Sequence, residues 1–285
     1  MKLKTTATTF VVTAALAVAG LAVAPATASA GSTDRAAARP GAPGKPKVVK
    51  IRSNDRAVKM DDAHFRPGVT EFRVVKTAHR GSSVIIVETD NLDRLFKKFD
   101  QAGSGAPGSA DAMKTVDRIA TFYGGSAEGA RWQVRLSSGS YYLIDTKTNK
   151  LTTFRVTGER RSPKMAKPDS EVWATRQNQF ETSGDLSGKW VSFENKSHEI
   201  HFLEADRVAD GTTASDVRQS FKSPKDPQWL LPGGFFFEIQ SPGVRTVHRQ
   251  DVRQSRYLLM CWMPSEEQDG VPHAMMGMWH LVNGV

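Results

Sequence analysis

The chain has one cysteine among its 285 residues, Cys261, and the residue types around it are those that bind soft metals. Cys261 ends an apolar segment, Tyr257-Leu258-Leu259-Met260-Cys261, and the loop that follows brings His273 and then Met275, Met276 and Met278. A thiolate, an imidazole and a thioether gathered around one loop make a donor set that favours copper. A further donor has to come from elsewhere in the chain. His201, just after the Asn195-Lys196-Ser197 turn, is placed to supply it. Taken alone, a single cysteine cannot close an internal disulfide, so Cys261 is an inert buried thiol, an intermolecular bridge or a ligand.

The remaining histidines carry less. His198 and His201 are three apart, so on a continuous strand they point to opposite faces, and His198 is expected in solvent. The string His198-Glu199-Ile200-His201 lacks the four-residue helical spacing of a zinc-protease motif. His64, His79, His248 and His280 have no second ligand type beside them and read as surface or core imidazoles.

The elements that must position these groups are mostly strands. Before Gly158, short runs rich in β-branched and aromatic residues recur at 48–51, 69–76, 83–88, 132–136, 141–145 and 152–156. Residues 91–99 and 110–123 have apolar positions at three and four spacing, which predicts helical insertions. After Ser170 the pattern repeats, with strands at 189–194, 199–203, 234–239, 256–262 and 278–282 and a helix over 213–221. Several short strands with turn signals between them predict a sandwich in each half. The halves also look alike. Phe72 to His79 lies over Val191 to His198, and Tyr141 to Asp145 lies over Tyr257 to Cys261, which indicates an internal duplication. In that superposition Asp145 takes the place of Cys261, and the short loop after it, Thr146 to Lys150, has neither His nor Met. The first half is therefore expected to be metal-free.

The organisation expected is a signal peptide over 1–30, a flexible tether over 31–47, a first sandwich over 48–158, a linker over 159–170 and a second domain over 171–285. Lys2 and Lys4, the apolar run Val11 to Ala24 and the small residues Ala28-Ser29-Ala30 carry the secretory expectation. No later segment reaches the 18 apolar residues of a membrane span. With 24% charged and 39% hydrophobic residues the composition is that of a globular protein. Lys plus Arg is 39 against 30 acidic residues, a formal charge of +9. Such an excess favours anionic surroundings, and Lys45 to Arg52 with Arg160-Arg161 suggest contact with an anionic cell-envelope polymer or with lipid headgroups. No recognition motif accompanies the charge, so nucleic acid is not an expected partner. Trp190, Trp229, Trp262 and Trp279, with Phe235-Phe236-Phe237, are expected to build the second core.

The second half resembles the cupredoxins, the blue-copper family of plastocyanin, azurin and nitrite reductase. In that family a strand carries an aromatic, three residues and Cys, and the next loop carries His, three residues, Gly and Met, matched here by Tyr257, Cys261, His273, Gly277 and Met278. The family's first histidine follows a Val-x-Phe-x-Asn strand, matched by Val191, Phe193 and Asn195, which points to His201. The resemblance covers roughly 170–285, and the earlier half matches only as a degenerate repeat. It implies an all-β fold of two cupredoxin-like Greek-key β-sandwich domains. It also implies one copper ion held by His201, Cys261 and His273 with Met278 axial. The use it implies is electron transfer or copper handling with a redox partner protein, in a secreted molecule. A metal-free cell-surface interaction module is the alternative. Copper oxidases and reductases of this fold need a second copper site, often built from His-x-His pairs, and the chain has none. One departure stands out: eleven residues separate Cys261 from His273, a longer loop than the family's electron carriers use, which predicts a looser site.

Overall fold

The computed structural model describes residues 44–285 except 78, 80, 81, 162 and 224. The expected signal peptide and most of the expected tether lie outside the described residues. In the first half, alternating apolar and polar residues build β1 (Lys47–Ser53), β2 (Val58–Met60), β3 (His64–Phe65), β4 (Gly68–Lys76) and β5 (Ser83–Thr89). Then come α1 (Leu92–Gly103) and α2 (Ser109–Ile119), followed by β6 (Ala120–Ala127), β7 (Arg131–Leu136), β8 (Gly139–Asp145) and β9 (Leu151–Val156). The second half has β10 (Ser170–Ala174), β11 (Phe180–Thr182), β12 (Trp190–Asn195), β13 (His201–Val208) and α3 (Ala214–Ser220). It closes with β14 (Leu230–Gln240), β15 (Arg245–Arg249), β16 (Ser255–Met260), a 3-10 turn over His273–Met276 and β17 (Trp279–Gly284).

The two halves share one pairing scheme. β1 lies parallel to β4 and antiparallel to β2, as β10 does to β12 and β11. β5 is flanked by β6 and β8, and β13 by β14 and β16. Tyr141 donates its hydroxyl to the carbonyl of Ser137, and Tyr257 does the same to Arg253, each four residues upstream. This is the repeated Greek-key sandwich that the resemblance implies. The superposition of Tyr141 on Tyr257 agrees with these bonds. That of Phe72 on Val191 does not: the Gly129 and Gly243 amides bond to the carbonyls of Val74 and Asn195, which matches Phe72 with Phe193. The slip is two residues, so every side chain keeps its face of the sheet.

The sandwiches are joined edge to edge. β15 pairs with β7 and β14 with β6, so an eight-stranded and a nine-stranded sheet each run through both halves. Several of these strands escape the sequence pattern. The helix expected over 110–123 stops at Ile119, because Ala120 and Phe122 are buried alternately with Thr121 and Tyr123 and continue as β6. β15, Arg-Thr-Val-His-Arg, hides its strand character behind two terminal cations, and its His248 is fully buried, stacked on Phe237 at 3.7 Å between ring centroids. The tryptophans also depart from expectation. Trp229 and Trp279 cover a small cluster on the outer face of the nine-stranded sheet beneath α3, and Trp262 is 37% exposed. Of the expected aromatics Phe237 lies in the second core and Phe235 packs against it, together with Phe193, Leu203, Tyr257 and Leu259.

Glu238 of β14 is buried at the seam and accepts a hydrogen bond from Ser83 of the first half. Burial, opposed by the bonds from Ser83 and the Ile239 amide, pushes its carboxyl up to about 7. The folded state thus holds a proton that the unfolded chain releases near 4.5. The stability from the neutral carboxyl is complete below pH 4.5 and is lost as pH rises toward 7, by about 3 kcal/mol for a shift of this size. Glu238→Gln, with no proton to lose, is expected to flatten that fall. Urea unfolding at pH 5 and pH 8 checks it, and equal pH slopes in variant and parent would exclude the assignment.

Candidate metal centre

Cys261, the residue after β16, and His201, which opens the neighbouring strand β13, are both fully buried. His273 is the first residue of the 3-10 turn and is also fully buried. The Sγ of Cys261 lies 3.5 Å from Nδ1 of His201 and 3.8 Å from Nδ1 of His273. One donor atom from each of the three residues falls within 4.8 Å of the others. Two ligands at 120° around one first-row ion, with bonds of about 2.0 Å to nitrogen and about 2.3 Å to sulfur, stand about 3.7 Å apart. The spacing fits, and the donor set of two imidazoles and a thiolate suits one type-1-like copper ion.

The turn before β13 explains how His201 arrives. Asn195 donates from Nδ2 to the carbonyls of Glu199 (2.8 Å) and Gln240 (2.9 Å), while its Oδ1 accepts from the Ser197 amide and hydroxyl. The side chain takes over backbone groups that the turn would otherwise leave unpaired. His198 points outward with 57% of its side chain exposed, as expected, and Nε2 of its ring lies 3.5 Å from Glu267.

Glu199 is the residue that sequence reasoning missed. Its Oε2 lies 2.9 Å from Nε2 of His273 and 2.9 Å from the Glu266 amide, and its Oε1 accepts from Asn178. Glu199 and His273 are 1% and 0% exposed. Burial works against the charged carboxylate, but the bonds from His273, Glu266 and Asn178 outweigh it and bring Glu199 down to about 2. Burial also opposes charge on His273, yet its bonds to Cys261 and Glu199 hold it up at about 9. A carboxylate on Nε2 fixes the ring so that Nδ1 faces the thiolate. His201 has no such support. Its Nε2 is buried without a hydrogen-bond partner, and burial, with the charge of His273, holds it neutral well below the usual imidazole range. No local signal pointed to it, because Glu199 lies in the bend before β13 and meets His273 only through the fold.

The loop is less loose than its length predicts. Met263 and His273 are joined by a backbone bond of 2.9 Å, Pro264 bridges Pro272, and the Ser265 amide bonds to Val271. These contacts close the neck, so residues 265–271 form an excursion and the path from Cys261 to His273 is short. The excursion rests on the first half: Gly270, at φ 76°, lies so close to Ser109 of α2 that a Cβ there would stand 2.6 Å from the serine Cβ. Leu95 of α1 and Met113 and Val116 of α2 join the cluster that contains Cys261, Met263 and Met278. The helical insertions of the first half therefore cap the metal end of the second.

Of the three methionines near the ligands, Met275 is 55% exposed and Met278 is 1% exposed. The Met278 amide bonds to the His273 carbonyl, and its own carbonyl accepts from the Cys261 amide.

At the matching end of the first half, Asp145 is fully buried. It accepts from Ser53 (2.6 Å), Ser82 (3.3 Å) and the amides of Lys147 and Thr148 (3.0 Å each). The place of the thiolate is thus taken by a carboxylate whose lone pairs are committed to the protein's own hydroxyls and amides.

No protein-family model matches the chain, and no curated protein sequence does. Among solved structures, the chain is similar to a reduced auracyanin from Roseiflexus castenholzii, at 13% identity over 40% of this chain and 94% of that one, with a TM-score of 0.25. It is similar to an azurin from Methylomonas sp. strain J, at 16% identity over 40% and 95%, with a TM-score of 0.24. A copper nitrite reductase from Nitrosomonas europaea matches at 12% identity over 85% and 94%, with a TM-score of 0.23. At this overlap the cupredoxin likeness stands on the repeated strand pairing and the His201, Cys261 and His273 donors themselves.

Proposed function

We propose that this chain is a cupredoxin-type protein that holds one copper ion in its second half and uses it for electron transfer or copper handling outside the cytoplasm. One observation carries the reading: two imidazole Nδ1 atoms and one thiolate converge in a fully buried position, with Glu199 behind one of the imidazoles. Copper held by such a set would supply one-electron chemistry between its two oxidation states. The chain's own residues do the rest. Cys261 supplies the thiolate, and His201 presents a neutral ring. As a ligand His273 would release its Nδ1 proton to solvent and keep the Nε2 proton against Glu199. Met278 would supply the thioether, supported by its burial and by its backbone bonds to His273 and Cys261. α1 and α2 exclude water from the loop side.

A redox partner protein would meet the exposed apolar residues beside the ligands, Trp262, Val271 and Met275. Export is supported by the amino-terminal sequence pattern. No described helix is long and apolar enough to cross a membrane. The test is direct. Purified protein given Cu(II) and dialysed is expected to keep one copper per chain and to show an intense thiolate-to-copper absorption in the visible. A protein that keeps no copper refutes the proposal.

A further inference from the structure

The outer face of the eight-stranded sheet carries a row of cations that the sequence does not bring together. β1, β4, β7 and β15 are consecutive neighbours in that sheet. Their registers set Lys50 opposite Arg73, Arg73 opposite Arg131, and Arg131 opposite Arg249. Each alternates with a core residue: Val49 and Ile51 flank Lys50, Phe72 and Val74 flank Arg73, Trp132 follows Arg131, and His248 precedes Arg249. All four side chains therefore project from one face. With strands about 4.8 Å apart, the row is about 14 Å long.

Like charges directly opposite one another on neighbouring strands are destabilising, and this row has little to relieve them. Two carboxylates adjoin it: Glu71, 2.9 Å from Arg73 and 3.8 Å from Arg131, and Asp61, which follows β2 and accepts from the backbone amide of Lys50 at 2.8 Å without pairing with its ammonium. Among the described residues, Lys50 and Arg249 have no ion pair, and both are exposed. A second row runs beside the first, because Arg52 pairs with Lys59 of β2 and with Lys76 of β4, all three exposed. On the other side the connection between the halves lies across the sheet, its Ala166 amide bonded to Gln133, and it carries the exposed Lys164 and Lys167. At the far end of the main row, Arg249 pairs with Trp190 of β12, a half-exposed indole.

We propose that this face binds an extended anionic polysaccharide laid along the row, across the strands, with a sugar ring against Trp190. The charge pattern asks for a linear polyanion, whose released counterions would drive binding as they do on other polyelectrolytes. The single indole at the row's end offers an apolar face to a sugar ring. Among the described residues the face carries no helix or ribbon that could enter a duplex groove, which argues against DNA. The surface spans both halves and lies on the sheet opposite the one that carries Cys261 and His201. It does not depend on the copper reading.

The experiment is equilibrium binding of the full chain to a fluorescein-labelled heparin oligosaccharide at several salt concentrations, with a DNA duplex of equal charge in parallel. The parent is expected to bind the oligosaccharide more tightly than the duplex at 0.15 M salt. Lys50→Glu with Arg249→Glu, both unpaired surface positions, is expected to cost on the order of tenfold or more in affinity and to lower the salt slope by about two. The control is Arg94→Glu with Lys97→Glu on the exposed side of α1, which makes the same change in net charge and is expected to bind like the parent. Equal weakening of both variants would reduce the effect to net charge and overturn the proposal. Tighter binding of the duplex, or no oligosaccharide binding by the parent, would overturn it too.

Discussion

Cys261→Ser is expected to abolish the visible charge-transfer absorption of the copper-loaded protein and to lower copper affinity by more than about 100-fold. The serine hydroxyl is nearly the size of the thiol, so the pocket between β13, β16 and the ligand turn keeps its shape. Its oxygen, however, is a hard donor and is not ionised at neutral pH, so the sulfur-to-metal transition is lost with the atom that provides it. Removing a ligand should cost more than the 10–100-fold typical of losing a partner behind one. Competition against a chelator of known affinity, with the absorption spectrum alongside, measures both effects. A coloured serine variant would move the site away from Cys261. Thermal unfolding of the metal-free variant close to that of the parent would show that the fold is intact.

The second large effect is expected at Glu199. In Glu199→Gln a side chain that still accepts from Nε2 of His273 and from the Glu266 amide has lost its charge, and its NH2 group must now face the Asn178 amide donor. Copper affinity is expected to fall 10–100-fold. The metal-free variant supplies a second readout. The carboxylate is one of the groups holding His273 up near 9, so an NMR titration should find that imidazole titrating at lower pH in the variant. The sign follows from the charge, because a neutral neighbour no longer favours the protonated ring. Unchanged affinity together with an unchanged His273 titration would reduce Glu199 to a packing residue. The same coupling explains why a carboxylate can be fully buried here: in the metal-free protein the positive ring it faces, the Glu266 amide and the Asn178 amide group replace the water it loses.

The donor types lay open in the sequence because each is rare in its setting. A lone thiol sits at the end of an apolar run, an imidazole and methionines follow within one loop, and a second imidazole stands behind a strand-and-turn pattern. The sandwich class was legible for a similar reason, since inward and outward residues alternate with period two in most strands. Legibility failed where the cause was non-local. Arg245–Arg249 looks like a polar loop until β12 and β7 flank it, and Ala120–Tyr123 looks like more helix until β5 pairs with it. The length of the Cys261 to His273 loop suggested slackness, because backbone bonds that close its neck cannot be read from residue types. Glu199 belonged to a motif that failed on spacing, and its role appeared only when the chain folded back 74 residues to bring His273 against it.

Sequence by itself determined which atoms can bind metal, that the chain is mostly strands, and that its halves resemble one another, because these depend on side-chain chemistry and local periodicity. Tertiary structure alone decided that Asp145 is satisfied by hydroxyls and amides, that α1 and α2 cap the loop of the other half, and that four cations from four strands stand in one row. The physical reason is that sheet register and the packing between halves are set by burying apolar faces at long range, and any charge or carboxylate on the same strands is carried to wherever that register puts it.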